Sequence, residues 1–320
     1  MITKMRKGAL ASLMFIGLCL AAPSVLAADS KMPVAGSKDV IYKGDEKCTS
    51  CHDENETVPV FAIGKTKHGV AKDGRVPTCV TCHGESDRHA NKPEDVKVRP
   101  ATDRNFGKKS PLTAEEKSAV CNTCHKGGKH MNWNTSAHTN NDVACTSCHQ
   151  VHTGHDKVRD KLTQPEVCYT CHKQQRAQAN KPSHHPIPEG KMTCSSCHNV
   201  HDDSPKLLTK DSVNETCYTC HMEKRGPFVH NHQPVTEDCG ICHNPHGTTN
   251  ANLLKTRAPF LCQDCHSYSS HPGQVAVLPN GQTTSTSSLG MVARGCLNCH
   301  TNIHGGNSLV NSATAGRFRR

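Results

Sequence analysis

Ten copies of the motif Cys-x-x-Cys-His recur along the 320 residues, and they restrict the possible folds more than any other feature. Two thiols three positions apart lie on one face of a helical turn, where they can form thioethers with the two vinyl groups of one haem. The histidine that follows can supply the proximal ligand of the haem iron. We number the motifs 1 to 10 in chain order: Cys48, Cys51, His52; Cys79, Cys82, His83; Cys121, Cys124, His125; Cys145, Cys148, His149; Cys168, Cys171, His172; Cys194, Cys197, His198; Cys217, Cys220, His221; Cys239, Cys242, His243; Cys262, Cys265, His266; and Cys296, Cys299, His300.

Other uses of cysteine fit this pattern less well. Twenty of the 21 cysteines belong to the motifs, and the other, Cys19, lies near the N-terminus. A disulfide framework would not require histidine after every second cysteine, and a zinc site would pair Cys-x-x-Cys units without that constraint. One motif alone would leave a zinc knuckle or a redox dithiol open. Ten motifs that account for every cysteine except Cys19 predict ten covalently bound haem c groups.

Apolar side chains are scarce in this chain. Hydrophobic residues, with cysteine counted among them, make up 34% of the sequence and aromatic residues 3%. A globular domain normally uses a larger share to offset the entropy lost on folding. Intrinsic disorder would also explain the low share, but it would not explain so many cysteines and histidines. We therefore expect something other than side chains to fill the interior.

The first 27 residues have the pattern of a secretory signal peptide. Lys4, Arg6 and Lys7 precede an apolar run at 8–20, and a small-residue cleavage pattern ends just before Ala28. The apolar run is too short for a transmembrane helix, and no later segment comes close. We predict an exported protein without a membrane span of its own.

Fourteen histidines lie outside the motifs, which is enough to give every haem iron a second imidazole. An iron with two histidine ligands is low-spin and has no open position, which favours electron transfer over substrate binding. Four histidines would then be in excess, and those are expected to be solvated surface residues. The fourteen are His68, His89, His130, His138, His152, His155, His184, His185, His201, His230, His232, His246, His271 and His304.

Local spacing selects seven of these as distal ligands. Three follow the proximal histidine by three residues and a fourth follows by four, too near to reach the far face of the same haem. We infer that each ligates a neighbouring haem, which would bring adjacent haems close together. Three more precede the next motif by seven to nine residues. The seven are His152, His201, His246, His304, His138, His185 and His232.

The motifs form an internal repeat. From Cys121 onward their starts are 24, 23, 26, 23, 22, 23 and 34 residues apart, and two kinds of motif alternate. Proline, glycine, asparagine and serine dominate between them, which predicts short α-helices, loops and little or no β-sheet. Three capping boxes are expected to begin helices. They are Thr113 with Glu116, Thr163 with Glu166, and Ser212 with Glu215.

We expect the mature chain, 28–320, to form one decahaem domain. A stretch near 174–183 divides it into pentahaem halves of about 28–178 and 179–304, and a basic tail occupies 305–320. The net charge of +10 does not indicate a nucleic-acid partner. Removal of the signal peptide takes away three basic residues and lowers the net charge to about +7. Up to about 20 haem propionates and about ten positive ferric haem cores would then bring the net charge of the oxidised protein near −3.

The chain resembles the decahaem periplasmic cytochromes of the MtrA/DmsE family over about 47–306. The resemblance rests on the ten motifs and on the segments WNTSAHTNNDVACTSCHQVH, MTCSSCHNVH, SVNETCYTCHMEKRGP, PVTEDCGICHNPHG, LLKTRAPFLCQDCH and GCLNCHTNIHG. It implies a multihaem cytochrome c in which short helices and loops surround a linear chain of ten bis-histidine haems. It also implies the distal ligands His68, His89, His138, His152, His185, His201, His232, His246, His271 and His304, and it leaves His130, His155, His184 and His230 as spares.

The resemblance further implies an electron carrier rather than an enzyme. It would sit at the periplasmic side of the outer membrane inside a porin-like β-barrel. Electrons would pass between a periplasmic or inner-membrane c-type cytochrome and an extracellular multihaem cytochrome or reductase. A physical argument also favours a barrel partner. The hydrocarbon layer of the membrane, about 30 Å thick, blocks electron passage, and the chain has no apolar belt with which to cross it.

Two other functions stay open at this point. A soluble periplasmic shuttle would carry the same motifs but would form no stable complex with a barrel. A multihaem reductase would need an iron with an open position. The direction of electron flow stays open too, because respiration onto Fe(III) or dimethyl sulfoxide and oxidation of Fe(II) predict the same residues.

Overall fold

The computed structural model describes residues 45–53, 56, 58–70, 74–266, 296–298 and 300–308. All of them belong to one unit that spans 35–320. The predicted signal peptide, 309–320 of the predicted basic tail, and two predicted site residues, His271 and Cys299, lie outside the described residues.

Short helices and turns make up the described chain. The longest α-helix has nine residues. The α-helices are α1 (Glu46–Thr49), α2 (Cys79–His83), α3 (Asp87–Ala90), α4 (Ala114–Asn122), α5 (Cys145–Cys148), α6 (Gln164–Tyr169), α7 (Lys173–Ala179), α8 (Val213–Tyr218), α9 (Gln233–Glu237) and α10 (Phe260–Gln263). The 3₁₀ helices are Val60–Lys65, Lys67–Gly69, Gly128–His130, Trp133–Thr135, Thr139–Asn141, Lys157–Arg159, Cys194–Ser196, Pro205–Leu207, Met222–Lys224, Cys239–Ile241, Ala251–Leu253 and Cys296–Asn298.

No β-strand occurs among the described residues, and their only β-type pairing is four isolated bridges. The predicted fold class, short helices and loops without a sheet, is therefore confirmed. Within the same residues, no helix is both long and apolar enough to cross a membrane.

The two kinds of motif predicted by the repeat differ in where they meet their helix. In the odd-numbered motifs the first cysteine lies near the C-terminal end of α1, α4, α6, α8 or α10. In the even-numbered motifs the first cysteine is the first residue of a helical turn, as in α2, α5 and the 3₁₀ helix Cys194–Ser196. The histidine of each motif then follows within one turn, which holds it beside both thiols.

The predicted capping boxes have three different outcomes. The box of Thr113 and Glu116 is complete, with hydrogen bonds in both directions. At α8 the Ser212 hydroxyl accepts the Glu215 N–H at 3.1 Å, while the Glu215 carboxylate lies 3.2 Å from Arg225. The box at Thr163 was predicted wrongly, because the Thr163 hydroxyl instead donates to a backbone carbonyl before α6.

Few apolar side chains are buried, as the composition predicted. Among the described residues, the buried hydrophobic side chains are Phe61, Trp133, Ala144, Tyr169, Ala179 and Tyr218. The two tyrosines directly follow the first cysteines of motifs 5 and 7, so part of this small core lies against the motifs themselves.

Candidate haem sites

Thiol contacts join the motifs into five pairs. In each pair the thiol of the first cysteine in an odd-numbered motif lies beside the thiol of the first cysteine in the next motif. This contact raises the pKa of Cys121 and lowers the pKa of its partner Cys145 to about 6. The five contacts are Cys48 with Cys79, Cys121 with Cys145, Cys168 with Cys194, Cys217 with Cys239, and Cys262 with Cys296.

The second cysteines connect one pair to the next. Burial, and in addition a cysteine of the following motif, raises the pKa of the second cysteine in motifs 2, 4, 6 and 8. These neighbours are Cys82 and Cys124, Cys148 and Cys171, Cys197 and Cys220, and Cys242 and Cys265. Consecutive motifs therefore lie beside one another throughout, in the order of the chain. None of the 19 described cysteines forms a disulfide.

A repeated polar contact holds the two halves of a pair together. The backbone N–H of Cys239 donates to Asn214 Oδ1 at 2.7 Å, and Asn214 lies three residues before the first cysteine of motif 7. Asp45 and Ser118 hold the equivalent position and accept from the first cysteines of motifs 2 and 4. All three side chains are buried. The sequence analysis missed these residues, and their spacing from the motif is the signal that could have revealed them.

The third pair achieves the same contact differently. Pro165 occupies the position three residues before Cys168, so its neighbour Gln164 supplies the acceptor. The side-chain Gln164 Oε1 accepts the backbone N–H of Ser195 at 3.1 Å. This bond and the thiol contact between Cys168 and Cys194 both cross the predicted boundary between the pentahaem halves.

Nine pairs of imidazole rings lie with their centroids 6.0–6.4 Å apart. Each pair contains one predicted proximal and one predicted distal histidine. They are, in motif order, His52 with His89, His83 with His152, His125 with His68, His149 with His201, His172 with His138, His198 with His246, His221 with His185, His243 with His304, and His266 with His232. One predicted proximal and one predicted distal histidine remain, His300 and His271, and His271 lies outside the described residues.

The spacing fits one iron between two rings. An iron–nitrogen bond is about 2 Å long and Nε2 lies about 1.1 Å from its ring centroid, so two rings on one iron have centroids about 6.2 Å apart. The residues present therefore fit a bis-histidine haem iron.

The pairs interlock across the repeat. The histidine that follows an even-numbered motif faces the proximal histidine two motifs earlier, as His201 faces His149. The histidine upstream of an even-numbered motif faces the proximal histidine of the next odd-numbered one, as His138 faces His172. Motif 1 is an exception at the chain end, because His52 faces His89 beyond motif 2.

Hydrogen bonds at Nδ1 leave Nε2 free to face the partner ring. A metal-binding histidine usually donates its other ring N–H to a carbonyl or carboxylate, which fixes the ring. Seven described rings have a backbone carbonyl at 2.7–3.1 Å: His83, His89, His138, His152, His185, His198 and His243. Two have a carboxylate instead: His52 with Glu56 at 2.8 Å and His149 with Asp156 at 2.7 Å.

Burial keeps many of these imidazoles neutral. Burial is the largest cause, and together with the nearby His130 and His149 rings it lowers the pKa of His201 to about 4. Burial is also the main cause of a lowered pKa at His68, His83, His232, His246 and His304. The neutral form is the one that binds a metal.

The spare histidines have other partners. His184 binds the Lys181 carbonyl through Nδ1 and Glu189 through Nε2, and the Glu189 contact raises its pKa. His230 donates from Nε2 to the Ser308 carbonyl at 3.0 Å. Each of these two spares has a neighbour in the sequence that faces a proximal ring instead, His185 beside His184 and His232 near His230.

The other two spare histidines, His130 and His155, differ in their surroundings. His130 packs tilted against His201, with centroids 4.4 Å apart, and lies 5.7 Å from His125. His155 is exposed at the surface.

Paired motifs, facing imidazoles and helical cysteine turns together define a multihaem c-type cytochrome. The chain matches the family described as "Doubled CXXCH motif" at 184–226 and 232–271, and the family described as "Cytochrome c-type protein NrfB-like" at 79–163. It is 44% identical over 274 residues to the multiheme cytochrome MtrA of Shewanella baltica, covering 83% of this chain and 79% of that protein. It is 31% identical over 153 residues to the cytochrome c-type protein NrfB of Haemophilus influenzae, covering 41% of this chain and 66% of that protein.

The chain belongs to the MtrA family of multihaem c-type cytochromes. This confirms the resemblance that its motifs carry. It is therefore an electron-transfer protein that binds haem c covalently through its Cys-x-x-Cys-His motifs.

Proposed function

We propose that the chain binds ten haems, one at each motif, and that each iron has two histidine ligands. The two cysteines of each motif form the thioethers, and the motif histidine is the proximal ligand. The distal ligands of sites 1 to 10 are then, in order, His89, His152, His68, His201, His138, His246, His185, His304, His232 and His271. The nine imidazole pairs at 6.0–6.4 Å support this assignment most directly.

A second histidine ligand on each haem iron favours an electron carrier over a catalyst. When bound, a bis-histidine haem exchanges one electron without a change in coordination. The chain's own histidines would occupy both ligand positions of each iron and would leave no site there for a substrate, and nine of these rings are held through Nδ1. Hydrogen bonds from one motif to the side chain before its partner motif do not involve the cysteine sulfurs, and they keep paired sites together, which favours electron passage along the chain in motif order.

We further propose that this decahaem chain crosses the outer membrane inside a porin-like β-barrel, after export to the periplasm by the predicted signal peptide. One end would exchange electrons with a periplasmic or inner-membrane c-type cytochrome. The other would exchange them with an extracellular multihaem cytochrome or reductase. The likeness to MtrA over most of both chains supports this proposal.

Transport across a sealed membrane tests the conduit. The cytochrome is extracted from native outer membranes with whatever co-purifies and is reconstituted into liposomes, with dithionite outside and a viologen dye inside. We expect dye reduction only in vesicles that hold both cytochrome and barrel. If the cytochrome instead stays in the soluble periplasmic fraction and the dye stays oxidised, the alternative of a soluble periplasmic shuttle replaces the conduit.

Haem content and spin state test the ligand set separately. Mass spectrometry of the holoprotein gives the number of attached haems, expected to be ten. Low-temperature spin resonance of the ferric protein should show low-spin iron throughout. A substantial high-spin signal would mean that at least one iron has an open position, and a reductase activity would then have to be reconsidered.

A further inference from the structure

The fourth site differs from its counterparts in what its proximal histidine binds. In sites 2, 6 and 8 the proximal Nδ1 faces a backbone carbonyl at 2.8–2.9 Å. In site 4 the same atom of His149 faces the side-chain carboxylate of Asp156 at 2.7 Å. The repeat thus replaces a neutral acceptor by a charged one at this position.

The Asp156 carboxylate is held toward the imidazole. Its side chain is 16% exposed, and its second oxygen accepts the backbone N–H of Gln150 at 3.3 Å. Its backbone carbonyl accepts the N–H of Arg159 at 3.0 Å and so begins the turn Lys157–Arg159. Within the described part of the chain, its ion-pair partner is His149.

Asp156 shares its surroundings with other charged groups. His155, Arg159 and Asp160 line one small surface pocket with it. Any effect of Asp156 on the fourth site must therefore be separated from the general field of these neighbours. Asp160 offers that separation, because its carboxylate accepts the N–H of Leu162 at 2.8 Å instead of a ligand imidazole.

We propose that Asp156 lowers the reduction potential of the fourth haem through its hydrogen bond to His149. A carboxylate at Nδ1 draws the proton toward itself and makes the imidazole a stronger donor at Nε2, which stabilises ferric over ferrous iron. Asp156 is thus a positioning and tuning residue that acts through the ligand. The inference rests on the proposed role of His149 as an iron ligand.

Two other carboxylates form a graded series with Asp156. Glu56 lies 2.8 Å from His52, but both side chains are about one-third exposed. Glu223 lies 3.7 Å from His221, beyond hydrogen-bond reach, and both are more than half exposed. Because solvent screens exposed charges, the effect decreases from site 4 to site 1 to site 7. The fourth haem then has a lower potential than it would have with a backbone carbonyl at the same position.

The test is a potentiometric titration of the full holoprotein carrying Asp156→Asn. The variant keeps the size of the side chain and an oxygen that can accept from Nδ1, and it removes the charge together with the acceptor of the long Gln150 N–H bond. We expect about one-tenth of the haem absorbance change to move to higher potential. The ferrous-to-ferric ratio at that site should rise about tenfold at fixed potential, equivalent to about 59 mV for one electron.

Asp160→Asn is the matched control, because it removes the same charge four residues away without touching a ligand. In this control, the ferrous-to-ferric ratio of the fourth haem at fixed potential should change less than twofold. An unchanged titration of Asp156→Asn with all ten haems attached would overturn the proposal. An equal shift in both variants would overturn it too, since the general field would then suffice.

A third variant distinguishes failure of this inference from failure of the ligand assignment. His149→Ala should create one high-spin ferric haem per chain. If it does not, His149 is not a ligand and the proposed site itself is wrong. If it does while Asp156→Asn leaves the titration unchanged, the site stands and only the tuning role is lost.

Discussion

The doublet His184 and His185 gives the sharpest test of the proposed ligand set, because the two residues are adjacent and only one faces a proximal ring. His185 lies 6.4 Å from His221 between ring centroids, and its Nδ1 is bound to the Pro245 carbonyl at 2.8 Å. Both nitrogens of His184 are engaged, one by the Lys181 carbonyl and one by Glu189. Substituting each by alanine should therefore give different results.

His185→Ala should open one iron of ten. We expect one high-spin ferric equivalent per chain in low-temperature spin resonance. After reduction, one carbon monoxide should bind per chain, because the other nine irons keep both axial ligands. The haem content should stay at ten, since the thioethers of motif 7 do not involve His185.

His184→Ala should leave every iron low-spin and should bind no carbon monoxide. It loses two hydrogen bonds that are partly exposed to solvent, so the expected loss of stability is only about 1 kcal/mol. High-spin iron in His184→Ala, with none in His185→Ala, would reverse the assignment. Equal amounts in both variants would show that the doublet is not fixed as the structure has it.

Three further substitutions test the packing that positions the sites. Asn214→Ala removes three buried hydrogen bonds and should lower stability by about 2–4 kcal/mol, read as a lower urea midpoint. His230→Ala removes a bond to the C-terminal segment 300–308, and hydrogen exchange there should become faster while all other regions keep their rates. Gly247 has a φ of +136°, and Gly247→Ala places a Cβ against the Gln178 carbonyl oxygen. The backbone must then move beside His246, the proposed distal ligand of site 6, so the haem of site 6 should become high-spin. A low-spin, fully folded variant would contradict this.

Local patterns in the sequence were enough for the class of protein and for much of its secondary structure. A Cys-x-x-Cys-His motif is complete within five residues, so its ten copies predict haem attachment without any knowledge of the fold. The same holds for the capping box of Thr113, whose partner Glu116 is three residues away. The box at Thr163 shows the limit, because that hydroxyl has a competing carbonyl in the preceding turn.

The sequence by itself thus determined how many motifs there are, which residues can hold haem, and which spacings favour distal ligands. Only the tertiary structure decided which histidine faces which. His152 is fixed by the carbonyl of Val60, 92 residues earlier, and it faces the proximal ring two motifs back. Spacing along the chain does not report such contacts, because they depend on how successive motifs pack. The carboxylate of Asp156 at the proximal histidine of site 4, where sites 2, 6 and 8 use a carbonyl, became visible for the same reason.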